Sequence, residues 1–140
     1  MPERTTLQAW IRLLRPAQWT KNGMVGVAYF FARWDPGQRA HAVGFAPLAT
    51  TLLAILDFCL LASGVYILND LTDRQADALH PEKKHRPLAA GTIAPAAAAV
   101  AAVALIAISL VGAWLLAPRF GCIASAYLVL QLAYTFKLKH

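Results

Sequence analysis

Two unbroken apolar runs, Gly44 to Leu68 and Ile93 to Ala117, constrain this chain more than any other feature, because each is 25 residues long and about 20 suffice to cross bilayer hydrocarbon as a helix. Asp57 is the only charge in the first run, and the second has none. A soluble domain spaces its apolar residues to build one buried face, whereas continuous runs of this length read as spanning helices. Composition agrees: 59% of the 140 residues are hydrophobic and 14% are charged, too little polar surface to coat a soluble domain of this size. The expected fold class is all-α, a polytopic transmembrane helical bundle.

Residues 7–16 put Leu7, Trp10, Ile11 and Leu14 on one helical face with Arg12 and Arg15 off it, the pattern of a helix lying in the membrane interface. Residues 17–34 read as the first span. Its apolar core between Asn22 and Arg33 is only 10 residues, so Gln18, Lys21 and Asn22 must face protein or water. Asp35-Pro36-Gly37 is a turn signal. The second span, 44–68, runs into a polar loop over 69–92, and the third, 93–117, opens with Pro95 in its first turn and is rich in alanine, as close-packing spans are. Pro118-Arg119 links it to the fourth, 120–136, which ends on the basic stretch Lys137 to His140.

Met1 to Lys21 is mixed and charged and shows no cleavable signal, so the first helix is expected to insert intact. With a cytoplasmic N-terminus, ten of the 13 basic residues fall on that side: Arg4, Arg12, Arg15, Lys21, Arg74, Lys83, Lys84, Arg86, Lys137 and Lys139. Arg33, Arg39 and Arg119 fall outside. The positive-inside rule then gives a multi-pass inner-membrane protein with its N-terminus and loop 69–92 in the cytoplasm. Topology thus explains much of the +6 net charge, and nucleic acid is not an expected partner. Cys59 and Cys122, 63 positions apart in apolar runs, read as small buried hydrophobes.

The chemistry concentrates where the second run ends. In a helix, positions 69, 70, 73 and 77 project at about 0, 100, 40 and 80 degrees, so Asn69, Asp70, Asp73 and Asp77 share an arc of roughly 100 degrees. Such a face repels itself unless a cation sits there. Magnesium fits best, since it takes hard oxygen ligands, uses one or two carboxylates and completes its shell with water and substrate phosphate. Lys83, Lys84, His85 and Arg86 follow immediately and supply cations for phosphate oxygens, Arg86 with a bidentate fork. Asp57 lies 13 residues before Asp70, about 20 Å away along a helix. It has no visible partner in the sequence, and both a functional and a structural role stay open. His80 and His85 have no partner at ligand spacing and read as loop residues.

Asn69-Asp70-Leu71-Thr72-Asp73-Arg74-Gln75-Ala76-Asp77 resembles the first aspartate-rich motif, NDxxDxxxD, of the UbiA superfamily of intramembrane prenyltransferases. Arg86-Pro87-Leu88 with Gly91 is similar to the RPL...G that follows it there. The stretches at 14–22, 63–70 and 80–91, and the final YTFKLKH, most resemble the decaprenyl-phosphate phosphoribosyltransferase branch. The resemblance implies the N-terminal four helices of a UbiA-type fold, and in the family further helices and a second aspartate-rich motif follow. This chain ends before that motif, so a fragment or truncated product that does not turn over alone is expected.

The branch further implies transfer of a 5-phosphoribosyl group from phosphoribosyl diphosphate to a polyprenyl (decaprenyl) phosphate. Asn69, Asp73 and Asp77 would bind the magnesium diphosphate, with Asp70 as a further ligand or an acceptor behind it. Asp73 and Asp77 would be essential for catalysis. Lys21 and Asn22 would border the pocket, and Lys83, Lys84 and Arg86 would clamp phosphate. The alternatives are a UbiA-type aromatic prenyltransferase using a prenyl diphosphate at the same metal site, and a non-catalytic membrane remnant or partner subunit. A transporter is disfavoured because no second intramembrane acid accompanies Asp57.

Overall fold

A computed structural model describes residues 6–138, which fold into helices and connecting turns with no strand among them. Arg4 and Lys139, counted above for topology, lie outside the described residues. Helix α1 is Thr6–Leu14. A 3-10 segment, Pro16–Gly23, follows, then α2, Met24–Trp34, and the single turn α3, Arg39–Ala42. The long helix α4 is Phe45–Leu79, a 3-10 turn covers Lys83–His85, and α5 is Pro95–Leu116. Helix α6 is Pro118–Ala133, continued by a π turn, Tyr134–Leu138. Two helices are long and apolar enough to cross a membrane, Ala46–Leu79 and Pro95–Leu116.

Helices α4 and α5 form the central pair, and α5 shows how they pack. Its buried face is Ala98, Ala102, Ser109 and Ala113. Its large apolar residues Val100, Val103, Ile108, Val111 and Leu115 point outward, Leu115 with 82% of its surface exposed. Small residues inside and large apolar residues outside suit hydrocarbon, where bulk apolarity gives no drive to associate and close backbone approach does. Gly64 on α4 is such an approach. A Cβ there would meet Ile106 Cγ1 at 2.7 Å and the Ala102 carbonyl oxygen at 3.1 Å.

Three boundaries differ from the sequence expectation. Residues 69–79, expected to begin the polar loop, are the last three turns of α4, and the connection starts at His80. No proline or glycine interrupts the chain between Gly64 and Pro81, and polar residues such as Asp, Arg and Gln tolerate a helix that already has its hydrogen bonds. Pro81 forbids continuation, and His80 is accordingly extended, φ −84° and ψ 133°. The expected span 17–34 is a 3-10 segment followed by an 11-residue α-helix. The interfacial helix stops at Leu14 because Arg15 turns left-handed, φ 52° and ψ 55°, before Pro16.

Helix α1 also divides its apolar surface. Ala9 and Leu13 are buried in a cluster with Ile67, Leu88, Ile93, Ala98 and Ala102, against which Trp10 and Leu14 pack. Leu7 and Ile11 remain exposed on the opposite side. A helix apolar on two sides suits the boundary between a protein and a lipid surface. Of the two cysteines, Cys59 is buried as expected, but Cys122 is exposed on α6.

Candidate functional site

The end of α4 rises out of the packed pair and meets α1 on one side and the 80–94 connection on the other. That connection is folded by its own backbone. The Pro87 carbonyl accepts from Thr92 N at 2.9 Å and from Ile93 N at 3.3 Å, and Arg86 O accepts from Ala90 N at 2.8 Å. Leu88 and Ile93 are buried beneath it. The Arg-Pro-Leu stretch is thus an anchor: Leu88 plugs the core and Arg86, two residues earlier, is held over the acidic helix.

Asp70 and Asp77 are both buried, at 4% and 3% exposure, and both face cations. Arg86 Nη1 lies 2.7 Å from Asp77 Oδ2 and 3.2 Å from Asp70 Oδ1. Arg15 Nη2 donates to the same Asp70 Oδ1, and Lys83 Nζ is 3.9 Å from Asp77 Oδ1. A buried carboxylate demands such partners, since removing one leaves a charge that low-dielectric surroundings cannot solvate. Arg15, absent from the sequence-based site, is therefore part of it. Its guanidinium also lies over the Tyr66 ring, 5.2 Å from the centroid, a cation–π contact that helps hold an otherwise flexible side chain.

The expected arc of four oxygen-bearing side chains is divided among neighbours. Asp70 and Asp77 turn to the arginines, while Asn69, half-buried, hydrogen-bonds with the Thr135 hydroxyl in the π turn that follows α6. Asp73, also half-buried, lies one turn beyond Asn69. Lys84 and His85 are exposed, and His80 caps its own turn by accepting from Glu82 N at 3.2 Å.

Lys21 and Asn22 lie elsewhere. The 3-10 segment descends along α4, with Trp19 Nε1 donating to Ser63 Oγ at 3.0 Å and Asn22 Nδ2 to Cys59 Sγ at 3.4 Å. Cys59 is three turns before Asp70, so Asn22 sits about 16 Å below the acidic end. Lys21 is exposed beside it. Ser63 Oγ in turn donates to the Leu14 carbonyl at 2.8 Å, which fastens the left-handed junction at Arg15 to α4.

Among the described residues, no three His, Cys, Asp or Glu side chains converge on a point that could hold a metal. The donor set, hard oxygens from Asn69, Asp73 and Asp77 at four-residue spacing, suits an ion anchored by one or two carboxylates and completed by phosphate, the way magnesium is commonly held. It does not suit a cage made of protein alone.

Asp57, in the membrane-depth part of α4, has partners after all. Ser109 Oγ lies 3.1 Å from its Oδ2 and 3.0 Å from its backbone oxygen. Gly112, one turn on, leaves room for the carboxyl group, because a Cβ there would stand 2.6 Å from Oδ1. The sequence offers only a serine and a glycine three apart in an otherwise apolar helix, which does not by itself name Asp57 as their partner.

Comparison with known proteins bears on the same residues. The profile of the UbiA prenyltransferase family matches residues 36–140. The chain is 40% identical over 139 residues to decaprenyl-phosphate phosphoribosyltransferase of Mycobacterium tuberculosis, covering 99% of this chain and 45% of that protein. It is 36% identical over 139 residues to the protein of that name from Mycolicibacterium smegmatis, covering 99% and 43%. To that from Corynebacterium glutamicum it is 36% identical over 144 residues, covering 99% and 41%. The chain therefore spans less than half the length of these relatives. With the matched profile taking in α4, its acidic end, the Arg-Pro-Leu anchor, α5 and α6, the chain belongs to the UbiA prenyltransferase family, whose members are integral membrane proteins.

Proposed function

We propose that this chain contributes the first acidic site of a membrane transferase that moves a 5-phosphoribosyl group from phosphoribosyl diphosphate to a polyprenyl phosphate. The observation that carries the reading is the charged end of α4, where Asp70 and Asp77 are buried beneath Arg86, Arg15 and Lys83. The names of relatives 36 to 40% identical support the choice of donor and acceptor.

Four spans formed by the 3-10 segment with α2, by α4, by α5 and by α6, with the N-terminus and the 80–94 connection in the cytoplasm, belong to the same proposal. The setting is the inner membrane, where both a water-soluble diphosphate and a lipid phosphate can reach the acidic end.

Asn69, Asp73 and Asp77 are the proposed magnesium-binding residues. When bound, the ion would offset negative charge on the diphosphate. Arg86 and Lys83 present cations at the same helix end, where they favour the negative charge that grows on a departing diphosphate. The lipid phosphate oxygen attacks the anomeric carbon, the bond from that carbon to the diphosphate breaks, and the diphosphate leaves with the electron pair. Lys84 is exposed next to this group and adds to the attraction for anionic substrate.

Membranes carrying the protein, incubated with labelled phosphoribosyl diphosphate or labelled prenyl diphosphate, separate the readings. Label from the first donor entering the lipid fraction supports this one. Label from the second in an aromatic product marks an aromatic prenyltransferase, and transfer from neither, in membranes where the chain is completed by the rest of the transferase, marks a non-catalytic membrane protein.

A further inference from the structure

Between α1, the acidic end of α4 and the 80–94 connection lies a cavity of about 210 Å³, lined by Arg12, Arg15, Asp70, Glu82, His85 and Arg86. We propose that it is a phosphomonoester subsite, with Arg12, Arg15, His85 and Arg86 facing the phosphate and Asp70 acting as a positioning residue that holds two of the guanidinium groups. The inference rests on the phosphoribosyl-transfer reading and deepens it, because both the donor's 5-phosphate and the lipid acceptor are phosphomonoesters.

The chemistry comes from how the charges are spent. Asp70 is a poor opponent of an anion, since its carboxylate already accepts from Arg15 and Arg86 and is 4% exposed. Those bonds engage only Nη2 of Arg15 and Nη1 of Arg86. A guanidinium carries five N–H donors in a planar fork, so each keeps others for an anion while its plane is fixed. Arg12, one turn before Arg15 on α1, adds a third guanidinium from a different direction.

Fixing these groups has a backbone cost. Arg15 is the one non-glycine residue with positive φ among the described residues, a conformation that persists only where surroundings over-determine it. Here the surroundings are the Asp70 pair, the Tyr66 ring and the Ser63 bond to Leu14 O. The Ser63 bond holds the backbone junction, and the other two fix the guanidinium at the cavity.

The location fits either source of the phosphate. α1 exposes Leu7 and Ile11 on the side away from the core, which puts the cavity at the depth of lipid headgroups, while the exposed His85 and Glu82 border open water. Glu82 is the one lining acid without a guanidinium partner among the described residues, and it opposes anion binding.

The test uses the full chain in phosphatidylcholine nanodiscs. One arm titrates ribose 5-phosphate. The other incorporates phosphatidic acid and counts retained lipid by native mass spectrometry. Binding in the first arm assigns the subsite to a soluble sugar phosphate, and retention in the second to a lipid headgroup. Arg12→Gln, at an exposed position that spares the fold, is expected to weaken whichever binding occurs by about tenfold, the scale of a lost charge-assisted bond. Glu82→Gln is expected to strengthen it two- to threefold, roughly the scale of one screened surface charge.

Asp70→Asn is expected to weaken binding as much as Arg15→Gln does, with no further loss in the double variant and recovery in Asp70→Glu. Binding in neither arm, or binding indifferent to Arg12→Gln and Glu82→Gln, overturns the subsite. Additive losses from Arg15→Gln and Asp70→Asn overturn the positioning role. Transfer of labelled phosphoribosyl group by a protein that fails these titrations overturns the subsite alone, and ribose 5-phosphate binding by a protein that labels an aromatic product from a prenyl diphosphate overturns only the reaction reading.

Discussion

Helix α4 buries carboxylates in two places and supports them in opposite ways. At its outer end, Asp70 and Asp77 are met by full charges from Arg15, Arg86 and Lys83. Between three and four turns before Asp70, Asp57 is met by one hydroxyl and by the empty space that Gly112 leaves. Near water, cations can be assembled around an acid cheaply because each is only partly desolvated. At membrane depth a lysine or arginine costs more to place than it returns, so a small polar group and close helix packing do the work. One end of the helix is organised by charge and the other by shape.

Substitutions can break or sharpen that contrast. The largest effect is expected from Arg86→Leu, which removes the one guanidinium shared by two buried carboxylates and leaves Asp70 with Arg15 and Asp77 with Lys83. A loss of about 3 kcal/mol should appear as a marked fall in the thermal midpoint followed by tryptophan fluorescence in detergent. A change near zero would mean that Asp70 and Asp77 do not depend on this guanidinium.

Gly64→Leu comes next. Its side chain must enter the space held by Ile106 and the Ala102 carbonyl, so overpacking of about 2 kcal/mol is expected, with loosening of α4 from α5 visible as increased protease access. Ser109→Ala removes the hydroxyl from Asp57 and should cost about 1 kcal/mol in the same melting experiment.

The smallest effect is expected from Asp57→Asn. The amide keeps an acceptor for Ser109 and fits beside Gly112, so the midpoint should stay within about 1 kcal/mol of the parent, because a neutral group is also easier to bury. Asp70→Asn, by contrast, should destabilise, since it takes away the partner of two guanidinium groups. If the two asparagine variants behave alike, the division between charge and shape fails.

Much of this was legible in the sequence, and the exceptions have physical causes. The runs around Asp57 and Val103 announce membrane helices because no soluble pattern needs 25 apolar residues in a row. The spacing of Asn69, Asp70, Asp73 and Asp77 and the nearby Arg86 announce the charged end. The continuation of α4 to Leu79 was obscured because polarity marks the membrane boundary, and a helix need not end where the membrane does.

Arg15 was missed as a site residue because its pairing with Asp70 spans 55 positions and depends on a left-handed turn that no periodicity encodes. The family resemblance places Lys21 and Asn22 at the border of the pocket, at the cytoplasmic end of a first span beginning at residue 17. The 3-10 segment instead carries Asn22 down to Cys59. The hydroxyl of Ser109 was likewise invisible as a partner for Asp57 until α5 was laid against α4.

The most direct measurement is the magnesium dependence of labelled inorganic pyrophosphate binding to the protein in nanodiscs, compared between the parent and Asp73→Asn. Binding that requires magnesium and falls at least about tenfold in the variant is the expected result. Pyrophosphate retained equally without magnesium, or equally by Asp73→Asn, would contradict a metal-diphosphate site at the end of α4.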